Sequence, residues 1–347
     1  MGEQESEMKA AYYEGNETIR IGDCVPAPPA KGQVQIRVSH CGICGTDLHI
    51  FHGKMDRRVH FPQVMGHEMS GTIAALGEGV EGFAAGDRIT VRPLDPCGHC
   101  PACRAGHSHI CQNLKFIGID APGALQGLWT VPVHTLHRLP ANLSFAQGAL
   151  IEPLAVACHD VRMGDVRAGE YVVVQGGGPI GTLVALVARS QGARVVLSEV
   201  NPFRLALARE LGLETVNPRT TDLVELVTGQ TGGAGADVVF EVSGAAAGAE
   251  MMTKLPRTRG RIVVVALFPE PPAVDLFRFF WRELKLAGAR VYEAVDFEAA
   301  IRLAASATLP LGRIVTNVIP LEQLELGFRE MERGGNVMKV LVECSRD

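Results

Sequence analysis

The stretch from Glu170 to Glu199 reads EYVVVQGGGPIGTLVALVARSQGARVVLSE, and it decides the fold of the second half of the chain. It opens with Tyr171–Val174, an apolar run of the kind that forms a strand buried on both faces. A glycine-rich turn follows, then a segment with a broad apolar helical face, and then a second apolar run that ends at Glu199. This order of strand, turn, helix and strand is the unit from which parallel sheets are built.

Three glycines of the turn, Gly176, Gly178 and Gly181, have GxGxxG spacing. The first permits a tight turn, the second lets the backbone approach a pyrophosphate, and the third lets helix and strand pack closely. Pro179 and Ile180 complete the motif at the start of the helix, where free N–H groups can bind phosphates. The spacing alone is weak evidence, but the strand before it and the helix after it favour dinucleotide binding over a turn without a ligand.

Glu199 stands where a carboxylate can accept hydrogen bonds from both hydroxyls of the adenosine ribose. The same charge would repel a 2′-phosphate, so NAD is favoured over NADP. Arg204 keeps the NADP alternative open, although we interpret it as a residue that stacks on or borders the adenosine. Leu267 follows a strand candidate, and we expect its backbone to border the nicotinamide because ligands bind beyond the carboxyl ends of such strands.

Composition limits the classes of function. The chain has 347 residues, 47% of them hydrophobic, which predicts two domains with full cores. A net charge of −5 without a basic stripe argues against a nucleic-acid partner. No apolar run approaches the roughly 18 residues of a membrane span, and the opening MGEQESEMKA is not expected to be a signal peptide. Nine cysteines then favour metal binding in a reducing cytoplasm over disulfides.

Hydrophobic patterning divides the chain into two parts. Before residue 140, short apolar runs broken by Pro and Gly predict antiparallel β structure in a small barrel or crossed sheets. After Glu170, strands alternate with helices, which predicts a doubly wound parallel sheet and an α/β fold. The last strand candidate resembles the N-terminal part, so we expect the tail to rejoin it. We predict a first domain of residues 1–155, completed by 291–347, and a nucleotide-binding domain of residues 156–290. The strand candidates after Glu170 are Tyr171–Val174, Val195–Leu197, Val238–Val242, Ile262–Ala266, Leu286–Ala289 and Val337–Val342.

Four cysteines stand in the spacing C-x2-C-x2-C-x7-C, at Cys97, Cys100, Cys103 and Cys111. Four thiolates this close suit one tetrahedral zinc ion with no open position, so we predict a structural site. A catalytic role and four unligated thiols are the disfavoured alternatives. Histidines in the same loop could compete as ligands, but we interpret them as solvated surface groups.

A second candidate set is dispersed along the chain, and its members are Cys44, His67, Glu68 and Glu152. A thiolate, an imidazole and carboxylates together are typical of zinc with an exchangeable position. Spacing alone does not bring these residues together. His67 as a core histidine and Glu152 as a helix-capping group therefore remain alternatives at this point.

From about Met8 onwards the chain resembles the zinc-dependent medium-chain dehydrogenase family, in particular its sorbitol (polyol), 2,3-butanediol and threonine dehydrogenases. The motifs that carry the resemblance are GICGTDLH at Gly42–His49, GHE at Gly66–Glu68, the four-cysteine loop, EPL at Glu152–Leu154 and GGGPIG at Gly176–Gly181. The resemblance implies a GroES-like β-barrel-type catalytic domain, a Rossmann domain, and an active cleft between the two. It also implies two zinc ions per chain and NAD.

The resemblance further implies roles for individual residues. Cys44 and His67 are expected as zinc ligands, Glu68 as a direct or alternating ligand, and Glu152 as a ligand directly or through water. Thr46 is expected to hydrogen-bond the substrate oxygen, and His49 to continue a proton path to solvent. Cys41 is expected to be structural.

These observations predict an enzyme that transfers a hydride between a secondary alcohol, either a polyol or a vicinal diol, and NAD. L-threonine 3-dehydrogenase activity is the first alternative. Arg290 is a candidate partner for a substrate carboxylate, although we favour its interpretation as a surface or cofactor-edge arginine. A non-catalytic nucleotide-binding protein on the same fold is the lower-ranked alternative.

An aromatic cluster in the second domain comprises Phe277, Phe279, Phe280 and Trp281, and core packing or a subunit contact would explain it. The strand candidate Leu286–Ala289 could pair across subunits if it lies at a sheet edge. We therefore expect a cytoplasmic homodimer or homotetramer.

Overall fold

A computed structural model describes residues 8–24 and 26–345 of the chain. The chain divides into two compact units. Unit 1 contains the residues up to Glu152, together with Ile301–Ala307 and the residues from Leu311, and unit 2 contains Pro153–Ala300 and Thr308–Pro310. The expectation for the opening MGEQESEMKA falls largely outside the described residues. The domain limits given above, at 155 and 291, stay a prediction.

The first 152 residues supply mostly short strands, because prolines and glycines interrupt the apolar runs. The strands are β1 (Lys9–Tyr13), β2 (Ile19–Asp23), β3 (Gln33–Gly42), β4 (Gln63–Val64), β5 (Glu68–Leu76), β6 (Arg88–Val91), β7 (Leu94–Asp95), β8 (Lys115–Phe116), β9 (Leu128–Pro132) and β10 (Leu136–Arg138). The helices are α1 (Gly45–Phe51), α2 (Pro101–Arg104) and α3 (Phe145–Gly148).

The middle of the chain alternates strands and helices. Its strands are β11 (Tyr171–Gln175), β12 (Arg194–Ser198), β13 (Glu214–Val216), β14 (Ala236–Glu241), β15 (Pro256–Val264) and β16 (Lys285–Gly288). Its helices are α4 (Ile151–Met163), α5 (Pro179–Ser190), α6 (Pro202–Glu210), α7 (Leu223–Gln230), α8 (Ala246–Met251), α9 (Leu276–Arg282) and α10 (Ala294–Ala305). The six strands form one parallel sheet in the order β13-β12-β11-β14-β15-β16. The predicted doubly wound sheet is confirmed, and its strand order reverses between β11 and β14.

The C-terminal segment adds β17 (Val315–Pro320), α11 (Leu324–Arg333) and β18 (Lys339–Glu343). β18 pairs antiparallel with β3, so the tail joins the seven-stranded sheet whose path is β10-β6-β5-β3-β18-β17. β9 also pairs with β3 in that sheet, and β2-β1-β4 form a separate three-stranded sheet. These sheets are the GroES-like part of the predicted fold class.

Two strands after residue 170, β13 and β17, had no counterpart among the predicted strand candidates. β13 has three residues at the edge of the parallel sheet, which is too short to show a pattern. β17 is half-buried at nearly every position, so its residues show no alternation of apolar and polar side chains. Among residues 8–24 and 26–345, no helix has both the length and the apolarity needed to cross a membrane.

A buried ionic cluster joins α4 to α10 inside unit 2. Asp296 accepts hydrogen bonds from Nε and Nη2 of Arg162 at 2.6 and 2.8 Å. Its Oδ2 also lies 2.8 Å from Nδ1 of His159. Burial alone would raise the pKa of Asp296, but the bonds from Arg162 and His159 outweigh burial and hold that pKa well below its usual value.

Candidate functional site

The four cysteines of the predicted structural site lie together. One sulfur atom from each of Cys97, Cys100, Cys103 and Cys111 lies within 4.8 Å of the other three. Sγ of Cys111 is 3.5 Å from Sγ of Cys97 and 3.7 Å from Sγ of Cys100. A zinc ion about 2.3 Å from each of four sulfurs holds those sulfurs about 3.8 Å apart, so the spacing fits tetrahedral zinc.

Backbone N–H groups donate hydrogen bonds to these sulfurs, and such bonds stabilise the negatively charged thiolate that binds a cation. The N–H of Cys103 donates to Sγ of Cys100 at 3.4 Å, and the N–H of Asn113 donates to Sγ of Cys111 at 3.3 Å. A hydrogen bond from the backbone of His99 is the main cause that lowers the pKa of Cys97, to about 6. All four cysteines are free of disulfides. Burial, followed by the contacts with Cys100 and Cys111, instead raises the pKa of Cys103 to about 12, so a bound cation would be needed to hold all four sulfurs as thiolates.

The structure also brings together three members of the dispersed set. Ligand atoms of Cys44, His67 and Glu68 lie within 4.8 Å of one another, and both His67 and Glu68 are buried. Cys44 is the N-cap of α1, while Glu68 begins β5 directly after His67. The glycine before His67 has φ +92°, and a Cβ there would lie 2.7 Å from the Leu125 side chain. The GHE motif thus requires glycine at this position, because any other residue would strain the backbone next to the histidine.

Glu152, the fourth member, lies buried in the first turn of α4. Its charge acts on the same site, since it is one of the groups that raise the pKa of His67. Burial would lower that pKa, but the hydrogen bond to Cys44 and the charges of Asp47, Cys44 and Glu152 outweigh burial and raise it to about 10. Surroundings this negative favour a bound cation, and the donor set of thiolate, imidazole and carboxylate suits zinc.

Sequence reasoning missed two buried charged residues beside this set. Asp47 accepts from the N–H of Cys44 at 2.8 Å, and its Oδ1 lies 3.8 Å from Nδ1 of His67. At 3.8 Å this contact is electrostatic and not a hydrogen bond, and in the described structure both atoms are buried without a hydrogen-bond partner. The position of Asp47, three residues after the N-cap of a helix, was a signal that could have revealed it.

Lys339 of β18 is the second missed residue. Its side chain is 3% exposed, its Nζ donates to the carbonyl of Ile43 at 2.9 Å, and it forms an ion pair with Oε2 of Glu68. Glu68 is therefore already engaged by a cation of the chain itself. No local pattern in the sequence connects a lysine in the last strand with a glutamate in β5.

Thr46 and His49 lie on α1, three residues apart and both half-buried. Residues with this spacing share a helix face. Burial, followed by the charges of Lys54 and His52, lowers the pKa of His49. The ring is thus neutral at ordinary pH and able to accept a proton.

The predicted dinucleotide turn borders a pocket of about 510 Å³ in unit 2. Gly176, Gly178, Glu199 and Arg204 line this pocket, as Arg219 does from the loop after β13. Gly176 has φ +102°, a conformation open to glycine at little cost. The pocket lies at the carboxyl ends of β11 and β14, where the strand order reverses, and ligands of such sheets bind at this point.

Glu199 is held by the turn itself. Its Oε2 accepts from the N–H of Gly177 at 2.8 Å, and its Oε1 accepts from the N–H groups of Val200 and Asn201 at 2.6 and 2.8 Å. Arg204 lies over the turn, since its Nη1 is 3.7 Å from the position of a Cβ on Gly178. The carboxylate is therefore fixed at the end of β12 beside the glycines.

The remaining cofactor candidates lie around the same turn. Gly181 is buried in α5, which begins at Pro179, and Ile180 is half-buried next to it. Leu267 follows β15 and is 78% exposed. It does not line the 510 Å³ pocket in the described part of unit 2, although its carbonyl oxygen lies 2.9 Å from the position of a Cβ on Gly244.

Two family models match the chain. Residues 30–141 match the alcohol dehydrogenase GroES-like domain, and residues 179–306 match the zinc-binding dehydrogenase model. The chain belongs to the zinc-dependent medium-chain dehydrogenase family. The resemblance inferred from the motifs is thereby confirmed, and so is the fold class that it implied.

Known relatives are similar over nearly the whole chain. A 2-dehydro-3-deoxy-L-galactonate 5-dehydrogenase of Pseudoalteromonas atlantica is 53% identical over 340 residues, covering 98% of this chain and 100% of that protein. A sorbitol dehydrogenase of Halalkalibacterium halodurans is 34% identical, covering 91% and 93%. The crystal structure of a zinc-binding dehydrogenase of Sinorhizobium meliloti bound to NADP superposes with a TM-score of 0.92 at 32% identity, covering 98% and 100%.

Proposed function

We propose that the protein oxidises a secondary alcohol on a polyhydroxylated carbon chain, with NAD as the acceptor and zinc at the site of Cys44, His67 and Glu152. The observation that carries the proposal is the convergence of Cys44, His67 and Glu68 within 4.8 Å in a buried, negatively charged site. Zinc, when bound there, supplies a Lewis acid that lowers the pKa of an alcohol hydroxyl, and NAD, when bound, supplies the acceptor for the hydrogen on carbon.

The donor set fits zinc without requiring Glu68 as a permanent ligand. Because Lys339 pairs with Glu68, we propose Cys44, His67 and Glu152 as the three ligands; ligand atoms of Cys44 and His67 lie within 4.8 Å of each other, and Glu152 is buried. Three protein ligands and one exchangeable position are the arrangement of catalytic zinc sites. Asp47 adds a negative charge beside the ring of His67, and Lys339 keeps the carboxylate of Glu68 from adding a further uncompensated charge.

Thr46 and His49 form the proposed proton path. The hydroxyl of Thr46 accepts the proton of the substrate alcohol and passes its own proton onward along α1. His49 receives the proton on a neutral ring, because burial and the nearby cations Lys54 and His52 keep its pKa low. The path ends at solvent, which the half-exposed ring of His49 reaches.

The substrate class follows from the relatives. The 53% identical protein is named for oxidation of a sugar acid, and the sorbitol dehydrogenase for oxidation of a polyol. Both substrates carry a secondary hydroxyl beside further hydroxyls. We therefore propose a polyol, a vicinal diol or a sugar acid, with L-threonine as the competing substrate. The exposed Arg290 of unit 2 is the candidate partner for a carboxylate from the sequence, and that role stays a prediction.

We propose NAD rather than NADP as the cofactor, although the related Sinorhizobium meliloti protein binds NADP. The carboxylate of Glu199 stands at the end of β12 and is fixed there by three N–H groups. A negative charge at this position accepts from ribose hydroxyls and repels a 2′-phosphate. Arg204 and Arg219 line the same pocket and are the groups that would favour NADP if Glu199 were removed.

Zinc analysis of cysteine variants tests the metal site. Wild-type protein should contain two zinc ions per chain, and Cys44→Ser should contain one, with turnover lost and NADH binding kept. Cys24→Ser is a control, because Cys24 is a free cysteine like the half-buried Cys44 but is buried and donates to Oε1 of Gln126 at 3.1 Å, outside the candidate ligand sets. Unchanged zinc content and turnover in Cys44→Ser would refute the proposal.

A side-by-side turnover assay tests the substrate. The substrates are sorbitol, 2,3-butanediol, L-threonine and 2-dehydro-3-deoxy-L-galactonate, each measured with NAD and with NADP. We expect a sugar acid or polyol to give the highest kcat/KM and NAD to exceed NADP. A preference for L-threonine would select the alternative. NADH binding without oxidation of any alcohol, with zinc bound, would select the non-catalytic alternative.

We also propose that the protein forms a homodimer across the edge of its parallel sheet, the minimum unit of a homodimer or homotetramer. β16 is the edge strand, so one side of its backbone has no strand partner among the described residues. Phe280 and Trp281 on the adjacent α9 are 77% and 71% exposed, which is unusual for aromatic side chains unless a partner covers them. A second copy could pair with β16 and cover this surface.

Solution mass tests the dimer. Trp281→Glu should yield monomers by light scattering, whereas Leu326→Glu, which changes a similarly exposed apolar residue on α11, should not. A monomeric wild type would refute the proposal.

We propose a cytoplasmic location as well, because all nine cysteines are free and clusters of thiolates persist in reducing compartments. Cell fractionation tests that location.

A further inference from the structure

Two neighbouring strands beside the glycine turn each end in a residue with a buried polar side chain. Gln175 is the last residue of β11 and Glu241 the last residue of β14, and the two are register partners in the sheet. In the described structure, Oε1 of Gln175 and Oε2 of Glu241 are buried and have no hydrogen-bond partner. Buried acceptors without a partner destabilise a fold, so this pair calls for an explanation.

The other oxygen of Glu241 organises the loop that faces the glycine turn. Oε1 accepts from the N–H and the hydroxyl of Ser243 at 2.9 and 2.5 Å, and from the N–H of Gly244 at 3.0 Å. A Cβ on Gly176 would lie 2.8 Å from N and Cα of Ser243, so this loop packs directly on the first glycine of the motif. Ser243 and the turn together line the 510 Å³ pocket.

Gln175 is hydrogen-bonded to α8 on the same side of the pocket. Its Nε2 donates to the carbonyl of Gly248 at 3.3 Å. A Cβ on Gly248 would lie 2.5 Å from Oε2 of Glu241, so the free oxygen of Glu241 points at the backbone that Gln175 holds. Gln175 and Gly248 both line the pocket. The pair therefore acts on the loop and the helix that would contact a bound dinucleotide.

Whether Gln175 and Glu241 can form a hydrogen bond with each other depends on the protonation state of Glu241. Oε1 of Gln175 and an ionised Oε2 of Glu241 are both acceptors, and neither can satisfy the other. A proton on Oε2 turns Glu241 into a donor for Oε1 of Gln175. Burial raises the pKa of Glu241, while the bonds from Ser243 and Gly244 oppose part of that rise. A neutral acid also avoids a buried negative charge next to the phosphates of a cofactor.

We propose that Glu241 is a positioning residue for the dinucleotide, a buried carboxylic acid that holds the Ser243–Gly244 loop against Gly176 and donates its proton to Gln175. The inference rests on the proposed function, because it assumes that the pocket binds a dinucleotide. Glu241 itself would touch neither the cofactor nor the substrate.

Two substitutions separate this role from a purely structural one. Glu241→Gln keeps a neutral side chain with one acceptor and one donor, and it should bind NADH within about twofold of wild type. Glu241→Ala removes both functions, and its Kd for NADH should rise about tenfold or more, the factor that loss of a buried hydrogen bond produces. With saturating NAD, kcat of Glu241→Ala should stay close to wild type. Glu225→Gln, at an exposed position of α7, is the control for removal of a charge in unit 2.

The outcomes are distinct. Unchanged NADH binding by Glu241→Ala overturns the inference, and binding by Glu241→Gln as weak as that of Glu241→Ala overturns the proton-donor role. If Glu241→Ala does not fold, Gln175→Met decides, since it leaves Glu241 in place and should still weaken NADH binding. If wild type binds no NADH, the proposed function itself fails. If wild type binds NADH and turns over while Glu241→Ala equals it, only the inference fails.

Discussion

Replacement of the third glycine of the turn by alanine tests the dinucleotide pocket most directly. A Cβ on Gly181 would overlap the carbonyl oxygen of Gly176 and lie 3.0 Å from its carbonyl carbon. The obstacle is backbone, so no side chain can rotate to make room. Helix α5 must therefore move away from the turn that would hold the phosphates, and both stability and cofactor affinity should fall.

The magnitude follows from the overlap. Overpacking of a well-packed interior costs about 1–3 kcal/mol, and a collision with backbone belongs at the upper end of that range. We expect Gly181→Ala to lose about 3 kcal/mol of unfolding free energy. If the displaced turn loses a similar amount of binding free energy, the Kd for NADH rises about 100-fold.

Two further glycines serve as controls, and the assays are urea unfolding and NADH fluorescence titration. A Cβ on Gly229 in α7 would meet nothing within 4 Å, so Gly229→Ala should gain about 0.5–1 kcal/mol and bind NADH normally. A Cβ on Gly178 would meet only Nη1 of Arg204, at 3.7 Å, so Gly178→Ala should fold normally but bind NADH weakly. A Gly181→Ala variant with wild-type stability and affinity would refute the packing argument. Normal NADH binding by Gly178→Ala would refute the turn as the phosphate site.

Three further predictions concern the metal loop and the buried charges. Cys103→Ser should lower the zinc content from two ions to one per chain and expose the four-cysteine loop to protease, as measured by elemental analysis and limited proteolysis. Lys339→Met should cost about 3–5 kcal/mol in metal-free protein, because it leaves Glu68 buried and unpaired, and urea unfolding should show most of that loss restored by adding Glu68→Gln. Asp296→Asn should cost about 2 kcal/mol at pH 7, after allowance for the exposure of its arginine partner. Because the pKa of Asp296 is lower in the folded state, its contribution is present above about pH 4 and is lost as the pH falls further, so the difference between variant and wild type should narrow in acid.

Each of these three predictions would be contradicted by a specific result. Two zinc ions in Cys103→Ser would mean that another residue of the loop completes the site. Equal urea midpoints for Lys339→Met and wild type would mean that Glu68 is protonated or solvated. A stability difference for Asp296→Asn that stays constant from pH 7 into acid would mean that the folded-state pKa of Asp296 is not depressed.

The parts of the molecule that could be predicted from sequence are those that local physics determines. The turn from Gly176 to Gly181 lies between a buried strand and a packed helix, and each glycine has its own steric or ligand-binding reason. The four-cysteine loop spans few residues, so its spacing alone predicts that the sulfurs meet. The parallel sheet followed from the alternation of strands and helices, apart from the short edge strand β13.

The remaining features could not be predicted from the sequence, because they depend on contacts between residues that are far apart in the chain. Lys339 meets Glu68 because β18 pairs with β3 and β3 pairs with β5, and no periodicity reports such a pairing. The position of Asp47 after the N-cap of a helix predicts its bond to Cys44, but its approach to within 3.8 Å of His67 depends on the position of β5 and could not be predicted. The pairing of Gln175 with Glu241 likewise depends on the register of two strands that are far apart in the chain.

The position of β18 has a consequence for how the protein is made. β3 pairs along one edge with β5, and along its other edge with β9 at Gln33–Arg37 and with the C-terminal strand β18 at His40–Gly42. While the ribosome is still translating, the nascent N-terminal half therefore has an unfinished sheet and lacks the cation that neutralises Glu68. Unit 2 contains its whole parallel sheet and can complete it beforehand. We therefore expect the site of Cys44, His67 and Glu68 to reach its final charge balance only after β18 has been synthesised and has paired with β3.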